Sequence, residues 1–356
     1  MNAQELVLTA CEFRKPERIP RYDSFWEYPD SWRARLGPPE DLTDVEIWVP
    51  DETTFPTRVM ALPTSNDGWN YEVDGWGRKI RQRPGTYFSE TIEVPFAAGV
   101  DPDRIAFDSP SYNARYLQGC QNQEELLAAL AQAKQRHCVF GKTGGPYLRT
   151  TYVRGESQFL MDIAVDPPFA KVLADKMADH LAAVGVEEIK RWSLQETGIW
   201  IFDDMAYNDS PMFSPASFEK VFLPAYRRMV RTYKQAGARY VFLHSDGNIL
   251  PLLDMLVDAG IDGINPLERR AHMDAVEIRK RFPRLILTGG MCNTNTLIYG
   301  PLKKIEAEAR QLIDLGCNGG LIIGTHSVSP EIPLEHFEAY DRICRTYGNF
   351  TAEEKS

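Results

Sequence analysis

From about residue 122 onward, short apolar runs alternate with longer stretches in which apolar residues recur at helical spacing. The runs are HCVFGKTG from His137, GIWIFDD from Gly198, RYVFLHSD from Arg239, GIDGINP from Gly260, RLILTGG from Arg284 and GGLIIGTH from Gly319. Each predicts a β-strand. The intervening periodicity predicts helices at about 167–195, 215–236, 249–259, 272–282, 301–315 and 333–347. Pro215 and Pro301 stand near helix starts, where a missing N–H costs little, and Gly237, Gly260 and Gly316 stand where helices stop before a strand.

Strand and helix in regular alternation imply parallel βα units. IPRYDSF, from Ile19, can supply a first strand, and no dinucleotide-type glycine fingerprint follows the early strands. The expected fold is therefore an α/β (β/α)8 TIM barrel rather than an open doubly wound sheet. The first 110 or so residues differ, being rich in Pro, Trp, Tyr, Asp and Thr. They read as an elaborated N-terminal cap with a β-hairpin over 73–88, its turn chemistry supplied by Arg83, Pro84 and Gly85. One domain is expected over 1–356, with cap elements and first strand in 1–110, the main βα units in 111–348 and a frayed tail in 349–356.

Composition narrows the partners. At 356 residues and 43% hydrophobic content the chain can bury a large core, and a net charge of −10 disfavours a nucleic-acid backbone or an anionic membrane surface. The opening residues lack the basic start and apolar core of a secretory signal, and no apolar run reaches membrane-spanning length. Six scattered cysteines, Cys11, Cys120, Cys138, Cys292, Cys317 and Cys344, show no paired spacing. A cytoplasmic protein acting on a small molecule is expected, with a homodimer left open.

In a (β/α)8 barrel, reactive groups lie where strands end at their C-terminal side. Those positions hold Asp203 and Asp204, His244 and Asp246, Asn265 and Glu268, and His326. Two readings stand for each: a helix cap or turn residue, or a member of one shared site. Adjacent strand residues face opposite ways, so one of Asp203 and Asp204 faces the pocket and the other caps a turn. Two imidazoles with carboxylates can hold Zn²⁺ or a similar ion. His137, His180, His272 and His336 lie before strands or within helices and read as structural or surface groups.

Over roughly 130–347 the chain resembles the uroporphyrinogen decarboxylase superfamily. The blocks that carry the resemblance are GPYLRTTYVRGESQFL, FDDMAYNDSPMFSPASFEKVFLPAYRRMV, FLHSDGNILPLLDMLVDAGIDGINPLE, LTGGMCNT and GGLIIGTHSVSPEIPLEHFEAY, and VDGWGRK is similar to a hairpin of its methyltransferase-like members. The superfamily includes decarboxylases and zinc- or corrinoid-linked methyltransferases on such a barrel. The decarboxylases' arginine-rich RQAGRY and LPEYR blocks have no counterpart in RIPRYDSFWEYPDSW. The resemblance thus implies a methyltransferase first. A decarboxylase or lyase, with His326 and Asp203 handling protons, is the alternative, and a non-catalytic barrel binding a metabolite or corrinoid is a third.

In the methyltransferase branch the resemblance implies a zinc site of His244, Asp246, His326 and Glu156, with Asp246 and His326 standing where relatives carry Cys. Such a set is harder and better suited to activating oxygen than a thiol. It implies an O-demethylase-type reaction: the methyl group of a small, methoxylated aromatic donor passes to a corrinoid supplied by a partner protein. Catalytic roles fall to Asp203, His244 and His326, and substrate contacts to Tyr207, Asn208, Asn265 and Glu268. Tyr22, Phe25, Trp26, Tyr28, Trp32, Trp69, Trp76 and Tyr87 either wall an aromatic pocket or form a cap core and dimer surface.

Overall fold

The computed structural model describes residues 1–351 apart from 26, 64–66, 87–88 and 100. Among the described residues, strands β1 (Val45–Trp48), β6 (Cys138–Gly144), β7 (Gly198–Phe202), β8 (Tyr240–His244), β9 (Gly263–Asn265), β10 (Ile286–Gly290) and β11 (Leu321–Gly324) form a parallel sheet in that order. Strands β2 (Met60–Ala61), β3 (Asn70–Val73), β4 (Lys79–Gln82) and β5 (Ser89–Glu93) form a separate antiparallel sheet.

Residues 19–25 run between the two edges of the parallel sheet. Tyr22 N–H donates to Ile323 O at 2.8 Å, Ser24 N–H to Thr325 O at 2.9 Å and Ile323 N–H to Pro20 O at 2.9 Å. On the other side Asp44 N–H donates to Arg21 O at 2.8 Å. This segment takes the first position of an eight-membered ring, so the architecture is the expected TIM barrel. Gly324 permits the closure, because a Cβ there would stand 1.8 Å from Tyr22 O.

Side-chain alternation sorts each parallel strand into two faces. Cys138, Phe140, Trp200, Tyr240, Phe242, Ile286 and Ile322 pack inside the barrel, with Trp200 stacked on Phe242 at 4.9 Å. The other face packs on the helices through Ile199, Ile201, Leu243, Ile264, Leu287 and Ile323.

The helices Pro167–Arg191, Ala275–Arg281, Leu302–Gly316 and Leu334–Thr346 lie where periodicity places them. The stretch 215–236 divides into Pro215–Val221 and Leu223–Gln235. Pro224 has no N–H for the helical bond across that joint.

The structure adds elements that the sequence pattern left unmarked. Strand β1 is too short for its alternation to register, and helices Ala3–Cys11, Gln123–Arg136, Pro146–Arg154 and Glu156–Val165 surround the early strands. The hairpin expected over 73–88 is part of a larger sheet: β3 and β4 meet around Asp74–Arg78 contacts, while the Arg83–Gly85 turn joins β4 to β5. Tyr87 and Phe88 fall outside the described residues. No helix among the described residues is long and apolar enough to cross a membrane.

Candidate metal centre

Strand alternation decides which polar residues meet. On β7, Trp200 and Phe202 point inward, so the next inward position is Asp204, and Asp203 turns toward the helices. Asp203 is fully buried and accepts from Leu148 N–H at 2.6 Å, Tyr147 N–H at 3.2 Å and Tyr226 Oη–H at 2.6 Å. It caps the helix Pro146–Arg154. Burial pushes its carboxyl up to about 6, against the pull of those three donors.

On β8, His244 follows Phe242 on the inward face, and its ring stacks on Phe202 with centroids 4.2 Å apart. Its Nδ1 is 2.6 Å from Asn265 Oδ1, while Asn265 Nδ2 donates to Thr288 O at 3.1 Å. Because the amide nitrogen is committed to a carbonyl, Oδ1 faces the imidazole and must accept. Nδ1 therefore carries the proton, and the Nε2 lone pair is free to bind a cation.

That lone pair faces carboxylates. His244 Nε2 is 3.7 Å from Asp246 Oδ1 and 3.9 Å from Asp204 Oδ1. His326 Nε2 comes from the end of β11 to 3.5 Å from the same Asp246 Oδ1 and 3.7 Å from Glu268 Oε1. Ligand atoms of Asp204, His244 and Asp246 form one group within 4.8 Å, and those of Asp246, Glu268 and His326 form a second. Asp246 is common to both.

The Asp246 side chain is half-exposed, yet its Oδ1 is buried without any hydrogen-bond partner. The two imidazole nitrogens lie beyond ordinary hydrogen-bond length from it. Burial raises the Asp246 carboxyl above its usual range, more than the nearby histidines lower it. An orphaned carboxylate oxygen with an imidazole nitrogen on either side fits a cation, which would supply that oxygen's missing partner.

Hydrogen bonds hold the groups around this point. Glu268, almost wholly buried, accepts from Gly247 N–H at 2.9 Å through Oε2, and Arg270 stands 3.2 Å from Oε1. Asp246 N–H donates to Asp204 Oδ1 at 2.9 Å. Gly247 has φ +81°, and a Cβ there would lie 2.5 Å from Ala206 O. The tight HSDGN turn thus needs glycine at that position. A narrow crevice bounded by Glu268, Arg270, Asn293 and His326 reaches the cluster. Two roomier cavities, about 570 and 610 Å³, lie elsewhere, one at the strand starts beside Tyr240 and Ile286 and one beside β1.

The remaining expected site residues are distributed around this centre. Glu156 is exposed at the start of the helix Glu156–Val165 and belongs to neither ligand group. Glu268, expected as a substrate contact, stands among the ligand atoms, and Asn265 orients His244. Tyr207 and Asn208 are exposed on the rim, where Tyr207 O accepts from Asn248 N–H at 2.8 Å. Asp204 was open to a capping role. The signal for its placement was parity with Trp200 and Phe202.

The cap aromatics pack mostly with one another or with cations. Phe25, Tyr28 and Trp32 cluster with each other and Phe337, Trp76 meets Tyr152, and Trp69 lies under Arg81 and Arg83. Among the described residues of this set, Tyr22 lies against Trp200 inside the barrel. Trp26 and Tyr87 are outside the described residues.

Comparison with known proteins agrees with the fold. The chain is 28% identical over 142 residues to the methylcobamide:CoM methyltransferase MtaA of Methanosarcina barkeri, a match covering 40% of this chain and 39% of that protein. It superposes on a methyltransferase from Methanosarcina mazei with a TM-score of 0.66 at 16% identity, covering 98% of this chain and 99% of the other, a likeness of fold. The family model for uroporphyrinogen decarboxylase (URO-D) matches residues 110–347. This span contains six of the seven sheet strands and every residue of the two ligand groups, and the chain belongs to the uroporphyrinogen decarboxylase family.

Proposed function

We propose that this protein is the methyltransferase of a corrinoid-dependent system, moving a methyl group from a small methoxylated substrate to a corrinoid carried by a partner protein. In this reading His244, Asp246, Glu268 and His326 hold a zinc ion. The carrying observation is the buried, partnerless Asp246 Oδ1 between the two imidazole Nε2 atoms. A zinc ion bound there supplies Lewis acidity where negative charge grows on the ether oxygen as the methyl group leaves.

The chain's own residues account for the rest. Two imidazoles and two carboxylates make a donor set without thiolate, which suits an oxygen-bearing substrate better than a thiol. Asn265 holds His244 in the tautomer that exposes Nε2. Gly247 N–H occupies one oxygen of Glu268, and the other, which also accepts from Arg270, is turned toward His326. Asp204 stands at the more exposed side of the cluster, where it can orient the incoming substrate or a water. The partial likeness to a methylcobamide:CoM methyltransferase supports methyl transfer and a corrinoid partner.

The decarboxylase alternative needs arginines free to hold substrate carboxylates. The early arginines are already engaged, Arg18 with Asp44 at 2.5 Å, and Arg21 with Asp23 at 2.9 Å and Asp341 at 2.5 Å. The test is metal analysis joined to a transfer assay with methoxylated benzenes as donors and cob(I)alamin as acceptor. Stoichiometric zinc is expected in the native chain, with zinc and transfer lost together in His244→Ala and His326→Ala. Full transfer by zinc-free protein defeats the proposal.

A further inference from the structure

The barrel has a second cavity, at the strand starts, that the metal centre does not use. Its volume is about 570 Å³, within the size range of small-molecule sites. The side chains of Tyr240, Val257, Ile261, Phe282, Leu285 and Ile286 make its walls largely apolar. None of the residues of the two ligand groups lines it. Tyr240 and His244 stand on the same inner face of β8, at its start and its end, four positions apart. Roughly 13 Å of strand therefore separates this cavity from the metal centre.

The charges at this cavity do not balance. Arg284 borders it, and its guanidinium has neither a hydrogen-bond acceptor nor a carboxylate partner among the described residues; it lies 4.4 Å from the centroid of the Phe13 ring. Arg279 lies over the same ring at 5.0 Å and bonds only backbone carbonyls, those of Pro283, Leu285 and Gly320 at 3.1, 2.8 and 2.6 Å. Burial first, then the Arg284 charge, lowers the Arg279 guanidinium to about 10. Every carboxylate at the cavity is already matched: Glu12 pairs with Arg14 and Arg239, and Asp262 with Lys234 at 2.5 Å and Val241 N–H at 2.7 Å. Arg281 is paired with Asp254. The remainder is positive. Phe13 holds Arg284 in place from a left-handed backbone position, φ +57°, just past the helix Ala3–Cys11, where glycine is the usual residue. Tyr240 is only 9% exposed, and its hydroxyl makes no hydrogen bond among the described residues.

We propose that this cavity is a second ligand site, which takes a small organic carboxylate with an apolar body. The body fills the space between the walls, and the carboxylate pairs with Arg284, giving that guanidinium the charge-assisted hydrogen bond it lacks. The Tyr240 hydroxyl is a further donor inside the same space. A neutral ligand of the same shape satisfies the walls but leaves Arg284 without an anion. The site stands apart from the metal centre and does not depend on the function proposed above.

Calorimetric titration with naphthoate and its neutral amide, naphthamide, tests this on the purified protein before and after treatment with a chelator. In both states native protein should bind the carboxylate at least about tenfold more tightly than the amide, with the preference shrinking as salt rises. Arg284→Met should abolish the preference while leaving amide affinity within about threefold. Val257→Trp, which fills the cavity, should weaken both probes at least about tenfold. Equal binding of the two probes by native protein, binding of neither, a preference that survives in Arg284→Met, or undiminished binding by Val257→Trp overturns the proposal. So does a preference that disappears on chelation, since a metal would then be reading the carboxylate. Arg284→Gln and Val257→Phe give the same readings should either first variant fail to melt cooperatively.

Discussion

Asp246 and Asn265 show how single residues prepare this site. Asp246 presents a buried oxygen to two imidazoles with nothing to bond it, an arrangement that favours a bound cation over an empty centre. Asp246→Asn should therefore raise the thermal midpoint of zinc-free protein and lower zinc affinity, opposite signs that a purely structural role would not produce. Asn265 acts on the metal only through His244. Asn265→Leu should weaken zinc binding by about 10–100-fold, measured by competition with a chelator, because the imidazole loses the acceptor that fixes its tautomer. An unchanged affinity would show that Nε2 is not the ligand. The two histidines were legible in the sequence as imidazoles at the ends of apolar runs. The choice between Asp203 and Asp204 was not, since it turns on which face of β7 looks inward.

At the scale of elements, closure of the barrel is the demanding step. The 19–25 segment meets β11 so closely at Gly324 that even a methyl group would collide with Tyr22 O. Gly324→Ala should cost about 1–3 kcal/mol in urea unfolding, as overpacking commonly does. It should also weaken zinc binding, because Gly324 precedes Thr325 and His326 at the site. A neutral substitution would mean that this closure is not maintained in solution. The long helices were visible because their apolar stripe repeats over several turns. The short β1 was not, because a four-residue strand offers only two alternations.

Across the whole molecule, the segment after β1 is tied to the barrel's outer helices by buried polar contacts. His180, on the helix Pro167–Arg191, bonds through Nε2 to Glu52 O at 3.0 Å and meets the Phe107 ring edge-on at 5.2 Å. Burial first, then the Arg115 charge, lowers its pKa to about 4. Below the ordinary value near 6.5, the unfolded chain takes up the proton and the folded chain does not. The contribution of His180 is thus fully present above that value and is lost as pH falls toward about 4. Relative to His180→Gln, native protein should lose stability on acidification across this window. Parallel pH profiles of the unfolding midpoint would contradict a buried neutral His180.

Apolar periodicity is a local property of the chain, so the sequence alone determined the βα alternation, the helix stops at glycine and the strand ends that carry His244 and His326. Its compositional change near residue 110 marked the cap sheet region, although β1 and the 19–25 segment within it belong to the barrel. Which side chains converge is not local. Asp204, Asp246, Glu268 and His326 come together only through strand register and ring closure, and a shift of one position would exchange Asp203 for Asp204. The same folding leaves Glu156 at an exposed helix start and places the Lys142 ammonium across Phe202 from His244. Tertiary structure decided these distances because they span separate strands, and no spacing along the chain encodes them.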